Sequence, residues 1–208
     1  MTCVRIYLYF FPSHVYFYFI IYHYYLSLSL LAQIGLQALV YKAQYESAIG
    51  NDGMQTTVYD QMKSLASSHP TVLTVLLCTA QVALMANETS YAYQLVSSLS
   101  NHPECMALKI QIYLKIDRID LANKELVALQ KIAGEESVLV ELSMIYIGLM
   151  TGRSMGNDME HRITTLCEQY GPSVYLLNLL SIAFIVQGNA TMAESKLQEC
   201  LQIGRAHV

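Results

Sequence analysis

The residue types that do chemistry are present in this chain, but their spacing matches no catalytic or metal-binding pattern. There is no glycine-rich phosphate loop, no H-E-x-x-H and no G-x-S-x-G. His69 and His102 each precede a proline, a setting typical of loops rather than of general bases. The sequence therefore predicts a protein that is not an enzyme, with no catalytic residues, no metal site and no cofactor.

The cysteines are interpreted as buried thiols. Their number is odd, and no two of them form a C-x-x-C pair; they are Cys3, Cys78, Cys105, Cys167 and Cys200. Cys78 lies inside an apolar segment, and Cys200 lies on the apolar stripe of a predicted helix. Free buried thiols are typical of a reducing compartment, so we expect a cytoplasmic protein.

Composition excludes one class of partner. Charged residues make up 13% of the chain, and the net charge is −4. Nucleic-acid binding needs clustered lysine and arginine, which this chain lacks. We therefore predict no nucleic-acid partner.

Five predicted helices carry the same apolar stripe, with positions i, i+4 and i+7. The triplets are Val58/Met62/Leu65, Ala92/Val96/Leu99, Ala122/Leu126/Leu129, Met159/Ile163/Leu166 and Ala193/Leu197/Cys200. Their first members are 34, 30, 37 and 34 residues apart. Such a stripe marks a helix that buries one face, and its return near every 34 residues is typical of stacked helix pairs. The predicted fold is all-α, a tetratricopeptide-like α-solenoid of antiparallel helix pairs.

The pattern places ten helices in five pairs. Their predicted ranges are 36–49 with 56–67, 70–86 with 89–100, 104–116 with 119–133, 136–150 with 157–170, and 173–187 with 190–202. The cluster Gly50-Asn51-Asp52-Gly53 is expected to separate the first two. Pro70, Pro103 and Pro172 each open an apolar segment, where we expect a first helical turn.

In a solenoid of this type the first helix of each pair lines the concave side. The inward positions are predicted to bind a protein segment and form three sets: Leu77, Gln81 and Leu84; Ala107, Gln111 and Leu114; Asn178, Ile182 and Ile185. Each set is mostly apolar with one amide, which suits apolar contacts and a few hydrogen bonds to a polypeptide backbone. The alternative is that these residues pack against the next repeat.

Residues 1–33 form an apolar segment rich in tyrosine and phenylalanine. The stretch from Val15 to Leu31 has the length of a membrane span, but aromatic residues fill its centre instead of its ends. Ala32-Gln33 can be encoded as GCACAG after a pyrimidine tract, which resembles a splice acceptor. We interpret residues 1–33 as intron-derived, with a membrane anchor as the alternative.

The other end invites a similar interpretation. Residues 203–208 resemble the translation of a sequencing adapter, which would leave 34–202 as the helical solenoid. Solenoids need capping repeats to seal their ends. On this interpretation we expect the chain to be unstable or to bind its partner weakly.

Two segments resemble the coatomer epsilon subunit family. The first is Glu104–Leu126, ECMALKIQIYLKIDRIDLANKEL, in which Asp117–Ala122 is the most specific part. The second is Pro172–Leu201, and Leu36-Gln37-Ala38-Leu39 resembles the start of another family helix. The resemblance spans about 35–202, while residues 153–162 share little with the family.

The resemblance implies a structural, non-enzymatic subunit of the COPI vesicle coat, acting in Golgi-to-endoplasmic-reticulum and intra-Golgi transport. It implies a closed, ring-like solenoid that binds the carboxy-terminal region of the coatomer alpha subunit and contacts other coatomer subunits indirectly. The expected location is cytoplasmic, peripheral on Golgi and COPI vesicle membranes. The alternative function is that of a membrane-anchored tetratricopeptide-type adaptor for another protein.

Overall fold

The structure, a computed structural model, describes residues 35–36, 38–43, 52–97, 99, 101–152 and 156–206. Every secondary-structure element in these ranges is a helix, and residues 38–43 belong to one of them. The others are α1 (Asp52–Ser68), α2 (Leu73–Met85), α3 (Thr89–Ser97), α4 (Pro103–Lys115), α5 (Ile119–Ala133), α6 (Val138–Thr151), α7 (Gly156–Tyr170), α8 (Val174–Gln187) and α9 (Ala190–Ala206). The predicted all-α fold of helix pairs is confirmed.

Most predicted helix boundaries agree with the structure within a few residues. One breaker was misjudged, because α1 begins at Asp52 and includes Gly53. Two of the four residues of the predicted turn therefore belong to the helix. The predicted helix at 36–49 lies partly outside the described residues.

The three prolines behave differently from one another. Pro103 occupies the first turn of α4, as predicted. Pro70 lies in the turn before α2, and Pro172 precedes Ser173, the N-cap of α8. For these two the expectation of a first-turn position was wrong. Proline has no N–H and restricts the residue before it, so it suits a turn equally well.

The chain divides after Gly134 into two compact units. In the unit that precedes this point, the stripe of α1 is fully buried at Val58 and Met62. These residues form one hydrophobic cluster with Val75, Cys78 and Val82 of α2. A buried hydroxyl also joins the two helices, since Thr79 Oγ1 donates to the Met62 carbonyl oxygen over 3.2 Å.

The same unit continues through two helix pairs, α2 with α3 and α4 with α5. The stripes of α3 and α5 are buried at Ala92, Val96, Ala122 and Leu129. α2 also packs directly against α4, the corresponding first helix of the next pair. The repeat inferred from the sequence therefore corresponds to helix pairs that pack in the same way.

The unit that follows Gly134 contains α6 to α9. Its stripes are buried at Met159, Ile163, Leu166, Ala193 and Cys200. Together with the preceding unit, this confirms that the five triplets face inward, with Leu65, Leu99 and Leu197 partly exposed. α6 approaches α7 closely at Gly148, where an added Cβ would lie 2.3 Å from Met159 Sδ.

The turns use residues that tolerate a left-handed backbone. α8 ends at Gly188, which has φ of 87° and suits a residue without Cβ. Asn87, after α2, has φ of 62°, a conformation that asparagine adopts more readily than most residues. Asn189 caps α9, because its Oδ1 accepts from the Met192 N–H over 3.2 Å.

The predicted segment 1–33 lies outside the described residues, and α9 continues through Ala206. The intron and adapter interpretations of 1–33 and 203–208 remain predictions. In the described part of the chain, none of the helices combines the length and the hydropathy that crossing a membrane requires.

Candidate protein-binding face

The first two predicted sets lie at equivalent places on neighbouring helices. Leu77, Gln81 and Leu84 are on α2, and the second set follows each of them by 30 residues on α4. Spacings of four and three residues put each set on one side of its helix. On α2 this side differs from the one formed by Val75 and Cys78, which packs with α1. We call the two sets together the first-helix face.

Exposure varies along the first-helix face. Leu77 is 4% exposed, Ala107 is 0% and Leu114 is 7%. Leu84 and Gln111 are partly exposed. Most side chains of the first-helix face are therefore buried, and only a few are partly exposed.

A lysine joins the two helices at this face. Lys115, in the last turn of α4, donates from Nζ to the carbonyl oxygen of Leu84 on α2. The same oxygen belongs to the last turn of its helix, where carbonyl groups lack intrahelical partners. Burial lowers the pKa of the Lys115 ammonium to about 8. The contact stabilises the packing of one first helix on the next.

Three side-chain atoms on α2 and α4 have no hydrogen-bond partner in the described part of the chain. They are Gln81 Oε1, Gln111 Nε2 and Glu104 Oε2. Gln81 is only 7% exposed and Glu104 only 6%. A buried polar atom without a partner costs free energy, and native proteins keep few of them. Gln81 and Gln111 belong to the first-helix face, whereas Glu104 lies outside the two sets that define it. A fourth such atom, Ser97 Oγ, lies on α3.

Glu104 and Lys115 were missed by the sequence reasoning. Glu104 precedes Gln111 by seven residues, and Lys115 follows it by four. Continuing the helical period from Gln111 by two turns toward the start of α4 and by one turn toward its end would have included both. Both are charged, whereas the predicted sets consist of apolar residues and amides. Burial and the neighbouring Glu104 carboxylate raise the pKa of the Cys105 thiol to about 12.

A polar cluster joins α3, α4 and α5 beside this face. Lys109 Nζ lies 3.3 Å from Glu125 Oε1, and both side chains are largely buried. Tyr113 donates from its hydroxyl to that of Tyr93 over 3.2 Å. Burial, followed by its bond to Tyr93, raises the pKa of Tyr113 to about 12. The ammonium of Lys109 is thus occupied by Glu125.

The third predicted set lies on α8, in the other unit. Asn178 is 8% exposed and Ile182 is 3% exposed, while Ile185 is partly exposed. The Cys200 thiol of α9 lies 3.6 Å from both Asn178 Oδ1 and the Val174 carbonyl oxygen, and the two acceptors share its single proton. Unlike Gln81 and Gln111, this amide oxygen is engaged inside its own helix pair. The set therefore shares the register of the other two but not their unmet polar atoms.

The thiols of the described residues are free. Cys78, Cys105 and Cys200 are buried, and Cys167 is partly exposed. Burial raises the pKa of Cys78 to about 12, so it is an unreactive thiol at neutral pH. Across the described ranges, no three potential metal-ligating side chains are grouped closely enough to hold an ion.

The fold and this face define a helical repeat protein of the tetratricopeptide class. A solved structure with the same fold is a tetratricopeptide repeat protein from Parabacteroides merdae, with a TM-score of 0.57 over 80% of this chain and 64% of the other. The two chains are 16% identical, so the likeness concerns the fold alone.

A family within the tetratricopeptide class can also be given for this chain. The family described as "Coatomer epsilon subunit" matches residues 22–207, which is most of the chain. The chain belongs to the coatomer epsilon subunit family.

Relatives from two different organisms are both named as coatomer epsilon subunits. Coatomer subunit epsilon of Dictyostelium discoideum is 32% identical over 118 residues, covering 56% of this chain and 39% of the relative. Coatomer subunit epsilon-2 of Oryza sativa subsp. indica is 29% identical over 167 residues, covering 80% of this chain and 55% of the relative. The chain thus spans about half, or less, of the length of the curated relatives it matches.

Proposed function

We propose that this chain acts as a structural, non-enzymatic subunit of the COPI vesicle coat and binds the carboxy-terminal region of the coatomer alpha subunit. The membership of the coatomer epsilon family supports the assignment to the coat. The transport step is Golgi-to-endoplasmic-reticulum and intra-Golgi traffic. The protein is cytoplasmic and reaches Golgi and vesicle membranes through the coat.

The binding surface in this proposal is the first-helix face. It combines partly exposed apolar groups, such as Leu84, with the amide of Gln111. Apolar contacts supply affinity and the polar groups orient the bound chain. The observation that carries the proposal is the membership of the coatomer epsilon subunit family.

Titration calorimetry of the purified chain with the alpha carboxy-terminal region tests the proposal. We expect a saturable one-to-one complex. Leu84→Asp should weaken it roughly tenfold or more, since interface residues that matter cost more than about 1 kcal/mol when altered. Val127→Asp is the matched control, because Val127 is 51% exposed on α5 and lies outside the face.

Circular dichroism of both variants establishes that the fold is retained. Absence of binding by the unaltered chain would refute the proposal. Equal weakening by the two variants would move the binding surface away from α2 and α4.

The membrane-anchored alternative rests on residues 1–33. Alkaline extraction of membranes that carry the chain separates the two functions. A coat subunit enters the supernatant, whereas an anchored adaptor stays with the pellet.

A further inference from the structure

Two tyrosines on consecutive helices touch each other in the unit before Gly134. Tyr93 lies on α3 and Tyr113 on α4, and their ring centroids are 5.8 Å apart. The Tyr113 hydroxyl donates a hydrogen bond to the Tyr93 oxygen over 3.2 Å. The ortho carbons of each ring adjoin the carbon that carries the hydroxyl, so they lie close to this contact. Tyr93 is 39% exposed, which makes the pair accessible to a small oxidant in solution.

Ortho carbons are the atoms through which two tyrosines couple on oxidation. Removal of one electron and one proton from each phenol gives two tyrosyl radicals, in which the unpaired electron is shared between the oxygen and the ortho carbons. A carbon–carbon bond forms between two ortho carbons. Each of these carbons then loses its proton as the ring becomes aromatic again, and each oxygen takes up a proton. Hydrogen peroxide, acting through a peroxidase, accepts the two electrons and two protons and becomes two molecules of water.

The arrangement of Tyr93 and Tyr113 suits this coupling. Their ring planes are inclined at 52°. Two linked phenols are twisted about the new bond, because their ortho substituents collide when the rings are coplanar, so little reorientation is needed. The side chain of Tyr93 is partly free to turn and close the remaining distance. The hydrogen bond from Tyr113 also lowers the pKa of Tyr93, and a phenolate loses an electron more readily than a phenol.

A neighbouring tyrosine pair lacks these properties. The rings of Tyr59 and Tyr91 meet edge to face, with centroids 6.3 Å apart and planes at 84°. The ammonium of Lys63 lies 5.3 Å from the centroid of the Tyr91 ring. A positive charge at this distance opposes the removal of an electron from the ring. Burial raises the pKa of Tyr91, so this phenol also gives up its proton less readily.

Another pair is enclosed in the second unit. The hydroxyls of Tyr146 and Tyr175 are hydrogen-bonded, but the two residues are only 4% and 5% exposed. Close-packed neighbours prevent the rings from approaching each other further. Of these three pairs, only Tyr93 and Tyr113 combine contact between the hydroxyls with access from solvent.

We propose that Tyr93 and Tyr113 form an oxidative cross-linking site, at which a peroxide-derived one-electron oxidant joins the two rings as dityrosine. The link ties α3, the second helix of one pair, to α4, the first helix of the next. In helical repeats the rotation between neighbouring units sets the curvature of the stack, so the bond fixes that rotation at this junction. The inference is independent of the proposed function, because it uses only the geometry of the chain itself.

Peptide mapping of the oxidised chain tests the proposal. The purified chain, at low concentration, is illuminated with a ruthenium photo-oxidant and persulfate, which takes up the two electrons and becomes two sulfate ions while the protons pass to the buffer. Trypsin, which cleaves after lysine and arginine, then places Tyr93 in the peptide 64–109 and Tyr113 in the peptide 110–115. We expect these two peptides to be joined, with a mass two hydrogen atoms below their sum and with the blue fluorescence of dityrosine.

Phenylalanine variants assign the link to particular residues. Tyr93→Phe and Tyr113→Phe keep the ring but remove the hydroxyl from which the radical forms, so each should lose the joined peptides. Tyr91→Phe is the matched control, because it changes a partly exposed tyrosine two residues away in the same peptide. It should leave the yield unchanged. Joined peptides that persist in Tyr93→Phe, or that disappear in Tyr91→Phe, overturn the proposal.

Unfolding separates the effect of the fold from that of closeness in the sequence. The two tyrosines are 20 residues apart, so an unfolded chain also brings them together from time to time. In concentrated urea the yield of joined peptides should fall at least about tenfold, because the rings are no longer held in contact. An equal yield from the unfolded chain overturns the proposal. Linkage found only between two copies of the chain, as covalent dimers on a denaturing gel, does so as well.

The link should also stabilise the folded chain. Closing the 20-residue loop between the tyrosines restricts the unfolded state. The change in melting temperature on oxidation should be about 5 °C more positive for the unaltered chain than for Tyr113→Phe, which undergoes the same side reactions without the link. An equal or more negative change would show that the rings must leave their native contact to couple, and that result refutes the site.

Discussion

The two compact units of the chain treat their buried polar groups differently. In the unit before Gly134, Gln81 and Gln111 keep amide atoms without partners. In the unit after it, Asn178 accepts from the Cys200 thiol, and Ser181 Oγ donates to the Leu177 carbonyl oxygen over 2.8 Å. Both units are built from the same helix pair, with the same buried stripe. Among the described residues of the second unit no buried side-chain nitrogen or oxygen lacks a partner, whereas in the first unit Gln81 Oε1, Ser97 Oγ, Glu104 Oε2 and Gln111 Nε2 do.

This difference affects the stability of the two units. A buried polar group that is hydrogen-bonded within the fold helps to specify that fold, whereas an unmet group lowers the stability of the free protein. The first unit therefore contains buried polar groups that lower its stability, whereas α6–α9 pair theirs within the fold.

The closeness of α6 to α7 should make the second unit intolerant of added volume. Gly148→Val places a Cβ on Met159, which is 2% exposed and enclosed. We expect a loss of about 1–3 kcal/mol in the free energy of unfolding, the usual cost of overpacking. Urea denaturation measures it. Lys124→Val, on the exposed side of α5, controls for the β-branched side chain in a helix and should cost less than about 1 kcal/mol.

The polar groups of the second unit should be stabilising. The hydroxyls of Tyr146 and Tyr175 are hydrogen-bonded to each other between α6 and α8, and both residues are buried. Tyr146→Phe should cost about 1 kcal/mol, because it removes a buried hydrogen bond. The double variant with Tyr175→Phe should lose less than the sum of the single losses. Strict additivity in thermal unfolding would show that the pair contributes no coupling.

In the first unit, removing a polar group should not lower the free energy of unfolding. Gln81→Met removes an unmet atom, so the free energy of unfolding should be unchanged or higher by up to about 1 kcal/mol. Gln94→Met, which is exposed, should be close to neutral. If Gln81→Met clearly lowered the stability of the chain without any partner, buried polar groups would have the same effect in both units.

The last prediction concerns pH, and solvent screening of the partly exposed Lys115 ammonium reduces its size. Burial lowers the pKa of Lys115 from 10.5 to about 8 in the folded chain. Between these values the unfolded chain keeps the proton and the folded chain does not, so this group makes stability rise with pH from about 8 upward. Below that range both states are protonated, and its contribution is constant.

Lys115→Met lacks this dependence. As the pH rises from about 7 to about 9.5, the urea midpoint of the unaltered chain should increase relative to that of the variant. The tyrosines titrate in both proteins, so their effect cancels in the difference. A difference that is flat with pH would show that Lys115 is solvated at its contact with Leu84.

Much of the fold could be predicted because a buried stripe imposes a spacing on the sequence. The triplet Ala122/Leu126/Leu129 has an i, i+4, i+7 spacing, and all three residues are buried in the structure. Helix starts were less predictable where Asp52 and Gly53 suit both a turn and a first helical turn. Pro70 and Pro172 show the same ambiguity, since proline is compatible with either position.

The candidate face was predictable only in part. Helical spacing placed Gln81 and Gln111 on one side of their helices, but three residues of equal spacing in α8 received the same interpretation. Whether an amide has a partner depends on which neighbouring helix reaches it, as Cys200 of α9 reaches Asn178. No spacing rule within a single helix contains that information.

The amino-acid sequence alone determined the helical repeat, the inward stripes and the resemblance to the coatomer epsilon subunit family. These depend on periodicity and residue type, which are local properties of the chain. The tertiary structure decided which buried polar atoms have a hydrogen-bond partner and which, on α2, α3 and α4, have none. Hydrogen bonding is directional and short in range, so only the packed positions of neighbouring helices settle it.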